Sequence, residues 1–248
     1  MSLSVTILGC NSALPTSKRF STAQVPEVSG RFFLIDCGEG TQIQLRRFKL
    51  NFAKLNHIFI SHLHGDHYFG IWGILSTFSL LNRKTPLHIF GHANLKKLID
   101  FHITTGQEFI GYEIVFHPLQ YDSKSIIFED EALIVESFPL KHRIPVCGFL
   151  FREKPKPRNI KKEMVQYLQI PYKEIHKIKE GQDYITEAGE IFKNEFLTNP
   201  PPPSASYAFC TDTKPFEKLA GFIGPVDLLY HEARSEERRV GKECRSRW

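Results

Sequence analysis

Residues 61–70 read SHLHGDHYFG. Three histidines and one aspartate (His62, His64, Asp66 and His67) fall within six positions. The run before them, His57–Ile60 (HIFI), is short and β-rich, so it reads as a strand. The run after them, Phe69–Leu81, reads as a buried helix. The stretch is therefore a strand-to-helix loop. His62 and His64 are two apart, and at a strand end such positions point the same way. Both imidazoles can then meet one ion. Gly65 is expected to let the backbone turn sharply. Asp66 and His67 start the following helix and can face a second ion. Imidazole nitrogens and carboxylate oxygens are the donors of hydrolytic zinc sites. A metal pair can clamp the attacking and the leaving oxygen of an in-line displacement. One histidine beside a strand is usually structural; the joint spacing argues for metal.

Outward from this loop, strands dominate. Ser4–Leu8, Arg31–Ile35, Leu87–Phe90, Tyr112–Pro118, Ser125–Phe128, Ala132–Phe138, Gly148–Phe151, Tyr207–Cys210 and Val226–Tyr230 carry strand patterns. Glu39–Phe48, Asn94–His102 and Ile160–Leu168 read as helices. Many strands follow one another without an intervening helix. The expected class is therefore α+β, a sandwich of two mixed sheets flanked by helices, rather than a doubly wound parallel sheet. The stretch from about Arg152 to Asn199 has few large apolar residues at a fixed period and reads as a projecting insert. It returns through Pro200–Pro203, four prolines in polyproline geometry. His57, His88, His92, His102, His117 and His176 lack the company of the 62–67 cluster and read as structural.

The chain has 248 residues, 42% hydrophobic and 24% charged, which is ordinary globular composition. The opening MSLSVTILGC has no basic start and is cut by Gly9, unlike a signal peptide. The longest apolar run is broken by Gly70, Gly73 and Ser76 and is too short to span a bilayer. Five cysteines without framework spacing argue against a disulfide scaffold and for a reducing, cytoplasmic setting. The net charge of +5 is uneven. Arg152–Lys179 holds nine Lys/Arg against three Asp/Glu, and Arg234–Trp248 holds six against three. The rest of the chain is acidic. A basic insert on an acidic metal-binding body suggests an anionic polymer as partner; a solvated lysine-rich surface is the plainer alternative.

The text SHLHGDHYFG contains the HxHxDH motif of the metallo-β-lactamase fold, and SHLHGDHYFGIWGIL resembles the ribonuclease Z family, endonucleases that trim precursor tRNA 3′ ends. Leu34–Gln42 (LIDCGEGTQ), Leu140–Pro145 (LKHRIP), Cys210–Thr213 (CTDT) and Tyr230–Ala233 (YHEA) resemble further segments of that family, in order. The resemblance implies a metallo-β-lactamase-type αββα sandwich. It implies one zinc on His62, His64 and His142, and a second on Asp66 and His67, with Asp212 bridging. Asp66 would act as general base, and His231, held by Glu232, would protonate the leaving 3′ oxygen. Asp36 is expected to be structural or to support the ligands.

The resemblance also implies a tRNA-gripping arm in place of the insert. Lys154, Lys156, Arg158, Lys161, Lys162, Lys173, Lys177 and Lys179 are its candidate phosphate contacts. The family's Gly-Pro arm motif is not evident in Gln169–Lys173, and Pro15–Arg19 only partly resembles the family's loop near the tRNA 3′ end. A homodimer acting on precursor tRNA, with no membrane or DNA partner, is the implied setting.

The resemblance stops at Ala233. The text RSEERRVGKECRSRW from Arg234 reads as foreign to the domain. A further zinc histidine of the family has no counterpart after His231. The literal chain is therefore expected to be C-terminally incomplete, with an impaired second site. Two other readings stay open: another hydrolase of this fold acting on small phosphodiesters or thioesters, and a non-catalytic metal- or RNA-binding subunit.

Overall fold

The structure is a computed structural model and describes residues 3–11 and 19–233. The Pro15–Lys18 stretch and the segment from Arg234 lie outside the described residues. Six strands lie side by side in chain order: β1 (Ser4–Gly9), β2 (Ala23–Val28), β3 (Arg31–Ile35), β4 (Leu55–Phe59), β5 (Leu87–Gly91) and β6 (Ile114–Pro118). The first three pair antiparallel, and β3 to β6 pair parallel. Parallel neighbours need crossovers. These are α1 (Thr41–Arg47), then α2 (Gly65–Tyr68) with α3 (Ile71–Leu80), then α4 (Ala93–Gly106).

The chain then enters a second sheet through β7 (Ser125–Glu129), β8 (Leu133–Pro139) and β9 (Cys147–Glu153). It leaves through the insert: β10 (Asn159–Ile160), α5 (Lys162–Tyr167), α6 (Tyr172–Lys179), β11 (Tyr184–Ile185), β12 (Ile191–Phe192), α7 (Asn194–Leu197) and β13 (Thr198–Asn199). It returns as β14 (Ser206–Thr213), α8 (Lys218–Ile223) and β15 (Leu228–Ala233). The second sheet has the order β15-β14-β9-β8-β7, with only β14 and β15 parallel.

Side-chain alternation sorts the layers. Phe33, Ile35, Phe59 and Phe90 of the first sheet meet Phe149, Phe151, Tyr207 and Phe209 of the second in one buried layer. Their neighbours Leu34, Ile58 and Ile89 point the other way, against Leu45, Ile74, Leu75 and Leu95 of the helices. On the far face of the second sheet, Leu150, Ala208 and Cys210 pack with Ile223 of α8. Both faces of the central strands are therefore buried, which is why they read as continuous apolar runs. The expected αββα sandwich of mixed sheets is the observed one. Each fully buried Phe or Leu contributes about 1.5–3 kcal/mol to the layer it joins.

The insert departs from its reading. It has an apolar cluster of its own, with Ile170, Ile178, Tyr184 and Leu197 buried among Met164, Leu168, Ile175 and Phe192. Its two ends are joined by pairing of β10 with β13. The cluster draws one or two residues from each of several short elements, so no single period announces it. The strand β2 also departs from the sequence pattern. Pro26 demotes such a run, but here Pro26 lies opposite Val5, and the β2–β3 pairing is made at Gln24, Glu27 and Val28. The four described cysteines are free thiols, three of them buried. Among the described residues, no helix is long and apolar enough to cross a membrane.

Candidate metal centre

The site forms where strand ends of both sheets meet. The loop after β4 carries His62 and His64, and α2 carries Asp66 and His67. His142 comes from the β8–β9 loop and Asp212 from β14. Backbone bonds fasten the loop to the Asp36–Gly38 turn. Asp36 N donates to Phe59 O (2.8 Å), Cys37 N to His67 O (2.7 Å), and Gly70 N to Cys37 O (2.8 Å). A Cβ on Gly70 would lie 2.1 Å from the Gly38 carbonyl, so only glycine admits this approach. Gly65 does not make the expected turn. It opens α2 and has no left-handed φ; a Cβ there would strike the Phe69 ring at 2.3 Å. It serves packing, not a sharp turn.

Asp36 is the organising carboxylate. It lies at the end of β3 with φ 55°, a left-handed conformation that aspartate tolerates better than most residues. It is fully buried. Its Oδ1 accepts from Ser61 N (2.8 Å), and its Oδ2 accepts from Ser61 Oγ (2.9 Å). The same Oδ2 lies 2.7 Å from His67 Nδ1. Ser61 Oγ in turn lies 3.0 Å from His62 Nδ1. With the serine proton given to Asp36, His62 Nδ1–H donates to the serine. Both His62 and His67 then carry their protons on Nδ1, and both Nε2 lone pairs face the cleft. Fixing the ligating nitrogen through the other ring nitrogen is how supporting residues tune a metal site.

Asp212 Oδ2 is the point on which the cluster converges. It lies 3.4 Å from His62 Nε2, 3.8 Å from His64 Nδ1, 3.8 Å from His142 Nε2 and 3.7 Å from His67 Nε2. His67 Nε2 is also 3.6 Å from Asp66 Oδ2. Two ligand atoms, each about 2.1 Å from a tetrahedral ion, lie roughly 3.4 Å apart, so these separations fit atoms sharing an ion. His62, His64, His142 and Asp212 present donor atoms all within 4.8 Å of one another. His67 lies beside that group, linked to it through Asp212, and Asp66 joins through His67. His67 Nε2 is buried and makes no hydrogen bond among the described residues.

The electrostatics agree. Burial lowers the pKa of His62, which favours the neutral ligand form. At His67 burial also opposes charge, but Asp36 first, then Asp66 and Asp212, outweigh it and hold the pKa above the usual imidazole value. Three carboxylates thus make the cleft favour positive charge, which a divalent cation supplies.

The chain has close relatives. A family model described as anti-Pycsar protein Apyc1 matches residues 3–129, which ends before His142 and Asp212. A ribonuclease Z of Bacteroides fragilis is 44% identical over 236 residues, covering 95% of this chain and 78% of the relative. The chain belongs to the ribonuclease Z family. A ribonuclease Z of Phocaeicola vulgatus is 46% identical over 239 residues, covering 95% of this chain and 77% of that one. The crystal structure of human tRNase Z, short form, superposes with a TM-score of 0.57 at 29% identity, covering 71% of this chain and 82% of that one.

The remaining ribonuclease Z candidates are not among these gathered donors. Glu232 accepts a bond from the Thr211 hydroxyl (2.8 Å). His231 is exposed on β15, opposite Cys210, and is not among the gathered donors. The basic residues of the insert divide in two. Lys154 pairs with Glu129 (2.6 Å) and Lys156 with Glu153 (2.9 Å). Arg158 Nε donates to Thr198 Oγ1 (2.7 Å), and Lys161 Nζ to Phe196 O (2.9 Å). These four knit the insert to the body and to itself. Lys162, Lys173 and Lys177 are exposed, Lys177 beside Glu174, and Lys179 is half-buried. Ser61 is not legible in the sequence, because a serine before a histidine signals nothing until Asp36 is folded against it.

Proposed function

We propose that this cleft is the zinc site of a nuclease that cleaves the 3′ trailer from precursor tRNA, leaving a 3′-hydroxyl on the tRNA, with one full metal site and a second, impaired one. Membership of the ribonuclease Z family supports a hydrolytic endoribonuclease. The observation that carries the metal-dependent reading is the convergence of four imidazole nitrogens on Asp212 Oδ2. His62, His64 and His142 would hold one ion, Asp66 and His67 the other, and Asp212 would bridge them. Zinc bound there supplies Lewis acidity at the phosphoryl oxygens and brings the attacking water toward neutral pKa.

The chain's own groups do the rest. Asp66, in the first turn of α2, takes the proton of the attacking water. His231 gives a proton to the departing 3′ oxygen. Asp36 and Ser61 keep His62 and His67 aimed. The insert, in the reading that places a catalytic body at 1–233 with an arm at about 152–199, grips the tRNA through phosphate contacts of Lys162, Lys173, Lys177 and Lys179. Tyr167 and Tyr172, 79% and 90% exposed among these lysines, offer faces on which bases stack. A homodimer in the cytoplasm completes the proposal.

The test is cleavage of a trailer-bearing precursor tRNA by the zinc-loaded protein. Chelation should abolish it. Asp66→Ala should lower the rate by about 10³-fold or more while leaving tRNA affinity within about threefold. Cleavage that survives either treatment would sink the metal-dependent reading.

A further inference from the structure

A cavity of about 570 Å³ is lined by His142 and Arg143 of the β8–β9 loop, by His92 at the β5–α4 junction and by Tyr121 after β6. Its wall reaches the candidate metal centre, but apart from His142 none of its residues belongs to that centre. Two of its side chains are prepared for an anion. His92 caps α4, and its Nδ1 accepts from Asn94 N (3.2 Å). That bond places the imidazole proton on Nε2, so the ring donates without being charged. Tyr121 packs against the ring at 5.5 Å between centroids, with its hydroxyl buried. The His92 ring is thus held at two points. Arg143 follows His142 directly and is exposed. Among the described residues, its guanidinium has no ion pair or hydrogen bond. Asp122 also lines the cavity; it is exposed and accepts the Ser123 hydroxyl (3.1 Å).

We propose that His92 and Arg143 form a phosphate subsite beside the metal centre, which holds the RNA phosphate next to the scissile one. The proposal rests on the ribonuclease reading above. A guanidinium fork grips two oxygens of a phosphate, and a fixed neutral N–H donor sets its orientation. Such a grip carries no sequence information, as suits an enzyme that meets many tRNAs. It aligns the strand across the metal ions, where small errors in placement cost rate. Arg143 and His92 are positioning residues here, since neither touches the reacting atoms.

The experiment compares zinc-loaded His92→Asn and Arg143→Gln proteins with the parent. Asparagine also caps helices, so the first variant keeps the start of α4 while losing the imidazole donor. Two substrates are used, precursor tRNA and bis(p-nitrophenyl) phosphate, which has no neighbouring phosphate. Each variant should lose about tenfold or more in kcat/KM on the tRNA and stay within twofold on the small diester, with unchanged zinc content. Arg143→Gln should reduce the slope of log Kd against log salt by about 0.7–0.9, the value of one phosphate contact, and His92→Asn should leave it unchanged. Arg143→Lys should restore the slope but not the full kcat/KM. Equal losses on both substrates, or parental kcat/KM on the tRNA, overturn the subsite alone. A parent that hydrolyses the small diester but no precursor tRNA overturns the subsite and the ribonuclease reading together.

Discussion

Asp36 orients two candidate ligands from one buried carboxylate, directly at His67 and through Ser61 at His62. Asp36→Asn keeps the shape and removes the charge. It also leaves the amide with fewer acceptor positions than three incoming donors require. Zinc affinity should fall by about 10–100-fold, measured by competition with a chromogenic chelator, with the far-UV circular dichroism unchanged. An affinity within twofold of the parent would count against the hub. The legibility of the site follows the same lines. His62, His64, Asp66 and His67 are neighbours in the chain, so their spacing alone announced a metal loop. His142 and Asp212 stand far from it in sequence, and only the family resemblance points to them. Ser61 and His92 gave no signal, because what each does depends on a partner delivered by folding.

The insert is an element with its own interior. Its cluster around Ile170, Ile178, Tyr184 and Leu197 shares no buried residue with the body's cores. Replacing residues 158–200 by a short glycine linker should therefore leave the body folded, with bis(p-nitrophenyl) phosphate hydrolysis within about threefold. Loss of several phosphate contacts should lower kcat/KM on precursor tRNA on the order of 10²-fold. Similar losses on both substrates would assign the insert a structural role instead. The elements of the body were legible where strands are buried on both faces and so run apolar without a break. The unanticipated ones have physical reasons. Pro26 masks β2, and Pro171 with interleaved charges masks α6, which buries Ile178 alone. Six-residue α8 is too short to show a period.

Across the whole molecule, the inter-sheet layer ends in a ladder of histidines. His57 stacks on His88 at 5.1 Å, and His88 Nδ1 lies 3.0 Å from His117 Nε2. These three read as isolated in the sequence and are joined only when β4, β5 and β6 lie side by side. Burial first, then the neighbouring His88 and Arg31, push the His57 pKa down to about 4. An unfolded imidazole titrates near ~6.5. Between those values the unfolded chain binds the extra proton, so stability is full above the upper one and falls as the pH drops toward the lower. The loss from this residue reaches about 2 kcal/mol by pH ~5. His57→Phe keeps the stacking among Phe33, Phe90 and Phe128 and removes the titration. Urea unfolding at pH ~7.5 and pH ~5 should show a drop about 2 kcal/mol smaller in the variant; an equal drop would exclude the ladder as its cause. The closed neck of the insert bears on how quickly the molecule assembles. β9 and β14 are partners in the sheet, yet the insert lies between them in the chain. An open connection of about fifty residues costs roughly 3.5 kcal/mol to close, against about 2 kcal/mol for the eleven or so left once β10 has paired with β13. An insert that folds first would raise the rate of β9–β14 encounter by about tenfold, acting as a splint for the second sheet before any RNA is met.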